Sequence, residues 1–516
     1  MARSSGRSAA LVAGGIFLSR LLGFVRERVF AHYFGNEAAA DAVRAALKIP
    51  NAIRNLLGEG TLSASFIPVY ARLVASDDPR AARALAGAVA SILLLASGIA
   101  AVLGILLAPA ITALVAPGFD PETRRLTVTL VRIIFPASGL LILAAWCLGV
   151  LNTHRRFFLP YAAPALWNIT QIAVMIAAGA TLAGGRLAVW LAWGIVAGSL
   201  VQLLVQVPQA VGLAGGWTFA PSLGVPGLRD VLAAWTPVVI GAGVAQISSF
   251  VDTLLASLLD TGAVASLGYA QLLTNLPVAL FGVSIAAAAL PELSREADGA
   301  ASGGGEALRT RLGEGFRRIV FFVLPCAVAC ATIGRPLVAV LYQTGRFGAR
   351  DTDLVTGVLA AYSLGLVGFA AVKLLASGFY ALRDTRTPVW IAAGSLLLST
   401  AVAALLMRRL GPSGIALGAS AGALVNAGLL LTLLGRRIGP VLRREDWRHT
   451  AVCLLAAAPA ALAGWLAQHG TIRGGAVLEA VTAWTAFGAT YVAAAFAAGH
   501  PDAHRLLELV RARFSR

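Results

Sequence analysis

Two apolar stretches near the N-terminus carry charges that apolar segments normally exclude. The first, SRLLGFVRERVFAHYFG, holds Ser19, Arg20, Arg26, Glu27 and Arg28. The second, DAVRAALKIPNAIRNLLGEG, holds Asp41, Arg44, Lys48, Asn51, Arg54 and Glu59. An arginine facing lipid at the bilayer centre costs about 2.5–3.5 kcal/mol, so such residues must line a wet cavity, pair with carboxylates or snorkel. Helical spacing sorts them in part. Asp41, Arg44 and Lys48 fall on one stripe, as do Arg20 and Glu27, whereas Arg20 and Arg26 differ by about 240° on an ideal helix. Both of those reach one cavity only if Gly23 lets the helix bend. Pro50 and the Gly58/Gly60 pair interrupt the second stretch, as in the broken helices that build transporter sites. Arg20, Arg26, Arg28, Arg44, Lys48 and Arg54 outnumber Glu27, Asp41, Glu59 and the more distant Asp252. That excess favours an anion site, and the planar fork of arginine suits phosphate oxygens. The competing reading is an internal salt-bridge network that only ties two helices together.

These charges sit in an unusually apolar chain. Of 516 residues, 58% are hydrophobic and only 13% charged, against about 25% charged in a soluble domain, and the mean hydropathy is +0.80. The composition excludes a soluble fold, a disordered chain and a cysteine-stapled scaffold, and makes the bilayer the solvent. Cys147, Cys326, Cys330 and Cys453 lie in apolar stretches without further ligands at metal spacing, so four buried free thiols and no metal or cofactor are expected. The net charge of +17 does not signal nucleic acid, because the basic residues are scattered between apolar runs. The positive-inside bias and anionic lipid headgroups account for it. No cleavable signal peptide is expected: the apolar stretch opening at Ser8 runs directly into Arg20 and Arg26.

Apolar runs of about 20 residues give fourteen expected spans, near 8–32, 40–74, 82–108, 124–151, 159–182, 187–212, 230–258, 264–290, 316–342, 354–380, 387–407, 412–435, 450–468 and 476–498. Lys and Arg favour one set of alternating loops, the set with both termini, by about three to one, which puts both termini in the cytoplasm. An internal repeat at one constant offset places Phe119 on Phe347, Arg155 on Arg383 and Pro160 on Pro388. The expected architecture is an all-α polytopic membrane protein of two six-helix halves plus two C-terminal helices. Its parts are 1–225 with the cationic cavity, 226–440, and 441–516 ending in a basic cytoplasmic tail. Repeats related by an axis along the membrane normal suit an alternating-access transporter.

SRLLGFVRERVFAHYFGNEAAADA and LKIPNAIRNLLGEGTLSASFIPVY resemble the opening signature of the MurJ (MviN) family of lipid II flippases, in the MOP exporter superfamily. The motifs APGF (Ala116–Phe119), LNTHRRFFLP (Leu151–Pro160), APALWNI (Ala163–Ile169), LYQTGRF (Leu341–Phe347) and GFYALRDTRTP (Gly378–Pro388) keep the family order, so the resemblance covers roughly residues 8 to 440. It implies a bacterial inner-membrane flippase carrying the undecaprenyl-diphosphate-linked peptidoglycan precursor outward, with the last two helices as a groove for the lipid tail. The family's cavity arginines match Arg20, Arg26 and Arg54, and its acidic positions match Asp41 and Glu59. The candidate diphosphate site is therefore Ser19, Arg20, Arg26, Lys48, Asn51 and Arg54, with Glu27, Asp41, Glu59 and Asp252 as cavity or gating acids.

Two departures stand out. Gln271-Leu272 replaces the Asp-Arg pair that typical members carry in the eighth span. Ser399 and Ala403 are too weak a set to join Asp252 in a sodium site. No covalent chemistry and no cofactor are expected; the membrane potential or an ion gradient would supply the power. The partners implied are lipid II, membrane lipids and cell-wall synthesis proteins. The alternatives are an exporter of another polyprenyl-linked glycan or amphiphile, and a non-transporting envelope-assembly scaffold.

Overall fold

A computed structural model describes residues 2–76, 78–216, 219–222, 224–300, 305–470 and 475–514; the Glu59 side chain and the loop at 301–304 lie outside the described residues. The described chain is helical throughout and forms two compact units. The first runs to Ala265 and includes Thr344–Phe347; the second holds Ser266–Gln343 and everything from Gly348.

In the first unit, α1 (Ala2–Phe34) is unbroken, and Gly23 does not interrupt it. The next expected span is instead three helices, α2 (Ala38–Ala46), α3 (Lys48–Leu57) and α4 (Glu59–Ala75). Pro50 has no N–H to give the Ala46 carbonyl, which places the first break at Leu47. Gly58 makes the second: with φ −103° and ψ −134°, a Cβ there would collide with the Arg54 carbonyl oxygen. None of the three pieces, of 9, 10 and 17 residues, reaches the roughly 20 needed to span alone. There follow α5 (Pro79–Leu106), α6 (Ala108–Val115), α7 (Pro121–Thr153), α8 (Phe158–Gly179), α9 (Gly184–Leu213) and α10 (Leu228–Ser257). Asp78 and Asp120 cap α5 and α7, accepting from the Ala81 N–H and from those of Glu122 and Thr123. α1 packs on α8, and α7 packs on both α9 and α5. The turn after α1 receives Thr344–Phe347: the Arg346 N–H donates to the His32 carbonyl at 2.9 Å, and its guanidinium binds both Glu37 oxygens at 2.9 and 3.1 Å.

α11 (Ala263–Pro277) leads into the second unit, followed by a π-helical turn (Val278–Val283), α12 (Ser284–Ala300), α13 (Gly305–Tyr342), α14 (Ala349–Ser363), α15 (Leu366–Ala381), α16 (Arg386–Leu410), α17 (Pro412–Ile438), α18 (Arg444–Gly470), α19 (Gly475–Ala497) and α20 (Pro501–Phe514). Small residues set the close approach of α16 and α17. A Cβ on Gly414, Gly418 or Gly422 of α17 would lie within 2.6–2.8 Å of α16 atoms, the close-packed seam of membrane helices.

Among the described residues ten helices are long and apolar enough to cross a membrane, or eleven if α14 and α15, bent by 42°, make one span. The expected single spans 40–74 and 354–380 are thus both broken. The helices keep the repeat: α14, α16 and α17 open at Ala349, Arg386 and Pro412, all displaced by the same offset from α7, α8 and α9 at Pro121, Phe158 and Gly184. Arg155 (φ 58°) and Arg383 (φ 60°), related by that offset too, are the positive-φ non-glycine residues among those described. Each ends its helix with the same pair of backbone bonds, Arg155 N–H to Asn152 and Arg156 N–H to Leu151, Arg383 N–H to Tyr380 and Asp384 N–H to Phe379. This is the Schellman arrangement, here with arginine at the left-handed position.

Candidate functional site

The charges of α1 and α2 meet around one carboxylate. Glu27 accepts from the Arg26 Nη2 on Oε1 at 2.7 Å and from the Arg44 Nη2 on Oε2 at 2.6 Å. The three side chains are 10%, 21% and 19% exposed, so two guanidinium groups share one anion with little water to screen them. Asp41 also acts electrostatically on Arg44, and the planar guanidinium forks suit the oxygens of a further anion. Each arginine also lies over a ring. The Arg26 Cζ is 5.0 Å from the Trp167 ring centroid and the Arg44 Cζ is 5.1 Å from that of Phe30. Arg26 donates from Nη1 to the Asn168 Oδ1 at 3.1 Å. Asn168 is buried and in turn donates to the carbonyls of Ser19 and Pro164 at 3.3 and 3.2 Å. Ser19 thus enters through its backbone oxygen.

The other expected residues separate into three groups. Lys48, opening α3, donates to the Ser249 Oγ on α10 at 2.9 Å, one turn before Asp252, to which it is electrostatically coupled. Asp41 shares the stripe of Arg44 and Lys48 in sequence, yet both its oxygens are committed to backbone. Oδ2 accepts the Gly262 N–H at 2.6 Å and Oδ1 accepts the Ala265 N–H at 2.7 Å, so Asp41 caps the start of α11 from another helix. Asn51 and Arg54 are half-buried on α3, and Arg20 is exposed on α1, on a different face from Arg26. The residues that sequence reasoning left out are Trp167, Asn168, Phe30 and Ser249. An asparagine inside the apolar run APALWNI was the one available signal.

In the second unit the Gln271 Nε2 donates to the Tyr362 Oη at 3.0 Å, and Leu272 beside it carries no charge. Ser399 and Ala403 on α16 are buried against Gly418 and Gly422 of α17, and no group of three His, Cys, Asp or Glu side chains converges among the described residues. The cysteines are free, with Cys147, Cys330 and Cys453 buried and Cys326 only partly so.

Known proteins are similar to this chain in sequence and in fold. The family described as lipid II flippase MurJ matches residues 30–503. The chain is 35% identical over 463 residues to a lipid II flippase MurJ of Burkholderia cenocepacia, covering 88% of each chain. It is 34% identical over 473 residues to a probable lipid II flippase MurJ of Rhizobium meliloti, covering 89% of this chain and 86% of that one. Among solved structures, a lipid II flippase MurJ in an inward closed conformation aligns over 93% of this chain and 98% of its own, with a TM-score of 0.74 at 23% identity. An inward-facing multidrug resistance MATE family transporter of the MOP superfamily aligns over 82% and 95%, with a TM-score of 0.67 at 18% identity. These two likenesses show the fold. The family match and the two relatives show more: the chain belongs to the lipid II flippase MurJ family.

Proposed function

We propose that this protein carries lipid II from the inner to the outer leaflet by alternating access, as a transporter and not an enzyme. The observation that carries this reading is the Arg26–Glu27–Arg44 cluster, two partly buried guanidiniums on one carboxylate. A diphosphate entering the site replaces Glu27 as the shared acceptor and supplies more oxygens than a single carboxylate does, so it can engage both forks at once. Arg54, Lys48, Asn51 and Arg20 serve the same anion as it moves, and Glu27, Asp41, Glu59 and Asp252 balance charge when it has left. Moving each negative charge outward across an inside-negative membrane releases about 2.3 kcal/mol per 100 mV, which favours release on the outer face.

The same reading takes the helices as fourteen spans in a bacterial inner membrane with both termini cytoplasmic. The broken α2–α4, α10 and α1 then complete the set, in halves of 1–225 and 226–440 followed by 441–516. Cell-wall synthesis proteins are the partners that would consume its product.

The experiment is rescue of a flippase-depleted bacterium combined with measurement of lipid II on the outer leaflet. Arg26→Ala and Arg54→Ala are each expected to abolish rescue at normal membrane abundance, since a charge-assisted phosphate contact contributes about 1.5–3 kcal/mol. Wild-type rescue by either variant removes the anion-site reading. The uncharged Gln271-Leu272 keeps a second reading in play, an exporter of another polyprenyl-linked glycan. Accumulation of that carrier, with lipid II export intact, would identify it.

A further inference from the structure

Arg26 is held on two sides by groups that carry no charge. Asn168 presents an amide oxygen to Nη1 at 3.1 Å, and the Trp167 ring lies under the guanidinium at 5.0 Å. The amide orientation is fixed by its surroundings. The Asn168 nitrogen faces the Ser19 and Pro164 carbonyls at 3.3 and 3.2 Å; a flipped amide would set oxygen against two oxygens and its own N–H groups against the guanidinium. The ring is placed by a neighbour. On α9, a Cβ at Gly198 would stand 3.1 Å from the Trp167 Cδ1 and 3.0 Å from its carbonyl oxygen, so only a residue without a side chain leaves the indole where it is. Gly198, Trp167 and Arg26 form a stack running from α9 through α8 to α1.

The chemistry of this support matters. A carboxylate in either place would cancel the charge that an anion must find. An amide oxygen and a π face attract the guanidinium and leave its net charge intact. Arginine otherwise gives up rotamer entropy to be fixed, and a site that has already met that cost binds its ligand more tightly. We propose, resting on the diphosphate reading of Arg26, that Trp167 and Asn168 are positioning residues: they hold Arg26 in place when Glu27 gives way, so that a substrate diphosphate meets a fixed guanidinium.

The test uses the full chain in detergent with two probes, undecaprenyl diphosphate and undecaprenyl monophosphate, and reads affinity by native mass spectrometry. Trp167→Leu is expected to weaken diphosphate binding about five- to tenfold, Trp167→Phe about two- to threefold because a ring remains, and Asn168→Ala about fivefold. Because a leucine at Trp167 could unsettle α8, Gly198→Ala serves as the second variant. It keeps the indole, displaces it, and is expected to weaken binding about threefold while the ligand-free melting temperature stays near that of the wild type. The deciding step is a double-mutant cycle. In an Arg26→Gln background each of these substitutions is expected to change diphosphate affinity less than twofold. Full, additive losses in that background overturn the proposal, because the residues would then act without Arg26. Loss in the single variants of equal size for monophosphate and diphosphate leaves it standing, since a fixed guanidinium serves either group. If Arg26→Gln itself binds undecaprenyl diphosphate like the wild type, the diphosphate reading of Arg26 fails, and the positioning proposal with it.

Discussion

Residues 38–75 and 263–300 follow one plan with opposite chemistry. Pro277 stands beside the position that the internal repeat assigns to Pro50, and the helix is disturbed at both: it resets at Leu47 in the first region and passes into the π-helical turn Val278–Val283 in the second. Yet with the two prolines aligned, Arg44, Lys48 and Arg54 of the first region fall on Gln271, Asn275 and Phe281 of the second. Proline alone therefore accounts for the disturbance, since it removes a donor whatever the neighbouring charges. The charges of the first region are not needed to build it. Arg44 of the first region instead pairs with Glu27, partly buried, a desolvation cost that the second region avoids by hydrogen-bonding Gln271 to Tyr362.

The sharpest way to break that comparison is at Asp41, whose counterpart in the same alignment is Gly268. Its carboxylate holds two buried backbone N–H groups, which gives this charge of the first region a structural task. Asp41→Ala is expected to cost about 3–6 kcal/mol, the worth of two hydrogen bonds to a charged acceptor. Asp41→Asn, with one acceptor oxygen left, should lose roughly half as much. Thermal melting of the purified chain reads both. A wild-type melting point for Asp41→Ala would mean that the cap contributes nothing and that Asp41 belongs wholly with the transport charges.

Next in size is an attempt to give the second region the charges it lacks. Leu272→Arg alone puts an unpaired cation into an apolar helix at about 2.5–3.5 kcal/mol and is expected to impair lipid II exposure on the outer leaflet at least tenfold. Gln271→Asp together with Leu272→Arg supplies the partner, and the aspartate can accept the Tyr362 hydroxyl, reversing the direction of the Gln271 bond. Lipid II exposure for the double variant is expected within about threefold of wild type. A stably inserted but inactive double variant would show that the second region has been rebuilt for a different substrate.

Much of this was readable in the residues themselves. The charged stripe, the breaks at Pro50 and Gly58, the free cysteines and the internal repeat all follow from local chemistry: a missing donor, a missing Cβ, a charge where apolar residues belong. The family motifs supplied the cationic site at Arg26. What escaped was tertiary. Nothing in the spacing of Asp41, Arg44 and Lys48 reveals that Asp41 turns to the amides of Gly262 and Ala265, far along the chain. Trp167 and Asn168 looked like part of an ordinary apolar helix until α8 met α1. The span expected at 354–380 also misled, because the helix parts at Leu364-Gly365 without a proline, whereas Pro136, at the equivalent place in α7, leaves that helix continuous.

The reason lies in a partner helix. The Ser420 hydroxyl on α17 donates to the carbonyls of Ala361 and Tyr362 at 2.7 and 3.2 Å, where α14 ends. Gly365 lets the two segments approach, since a Cβ there would lie 2.5 Å from the Ser420 Cα. At the equivalent position of the first unit stands Ala192, buried beside unbroken helices. Ser420→Ala is expected to cost about 1–2 kcal/mol by removing a buried hydroxyl donor from the Ala361 carbonyl. Ala192→Ser should stay within about 0.5 kcal/mol, because its hydroxyl can bond back to its own helix. Equal melting points for Ser420→Ala and wild type would place the cause of the break elsewhere.

The smallest contrast lies in the loops after α7 and α15. Both turn on a left-handed arginine, Arg155 and Arg383, but the following residue is Arg156 in one and Asp384 in the other. Asp384 caps α16. It accepts the N–H groups of Arg386 and Thr387 at 3.0 Å each and the Thr387 hydroxyl at 2.6 Å, and it pairs with the Arg437 Nη1 at 2.6 Å. α8 begins without such a side-chain cap. Burial pushes the Asp384 carboxyl upward, but the Thr387 bonds and Arg437 outweigh it and hold the group at about 2, below the usual 3.9 or so. A depressed folded value means that the carboxylate stabilises the fold above about pH 4 and that this contribution fades as pH falls toward 2. Asp384→Asn is therefore expected to melt below the wild type at pH 6, by a few degrees at most, with the two melting points converging between pH 4 and pH 2. A gap that stays constant across that range would mean that Asp384 acts through hydrogen bonds that an amide cannot make rather than through its charge. The loop contrast would then be one of shape alone.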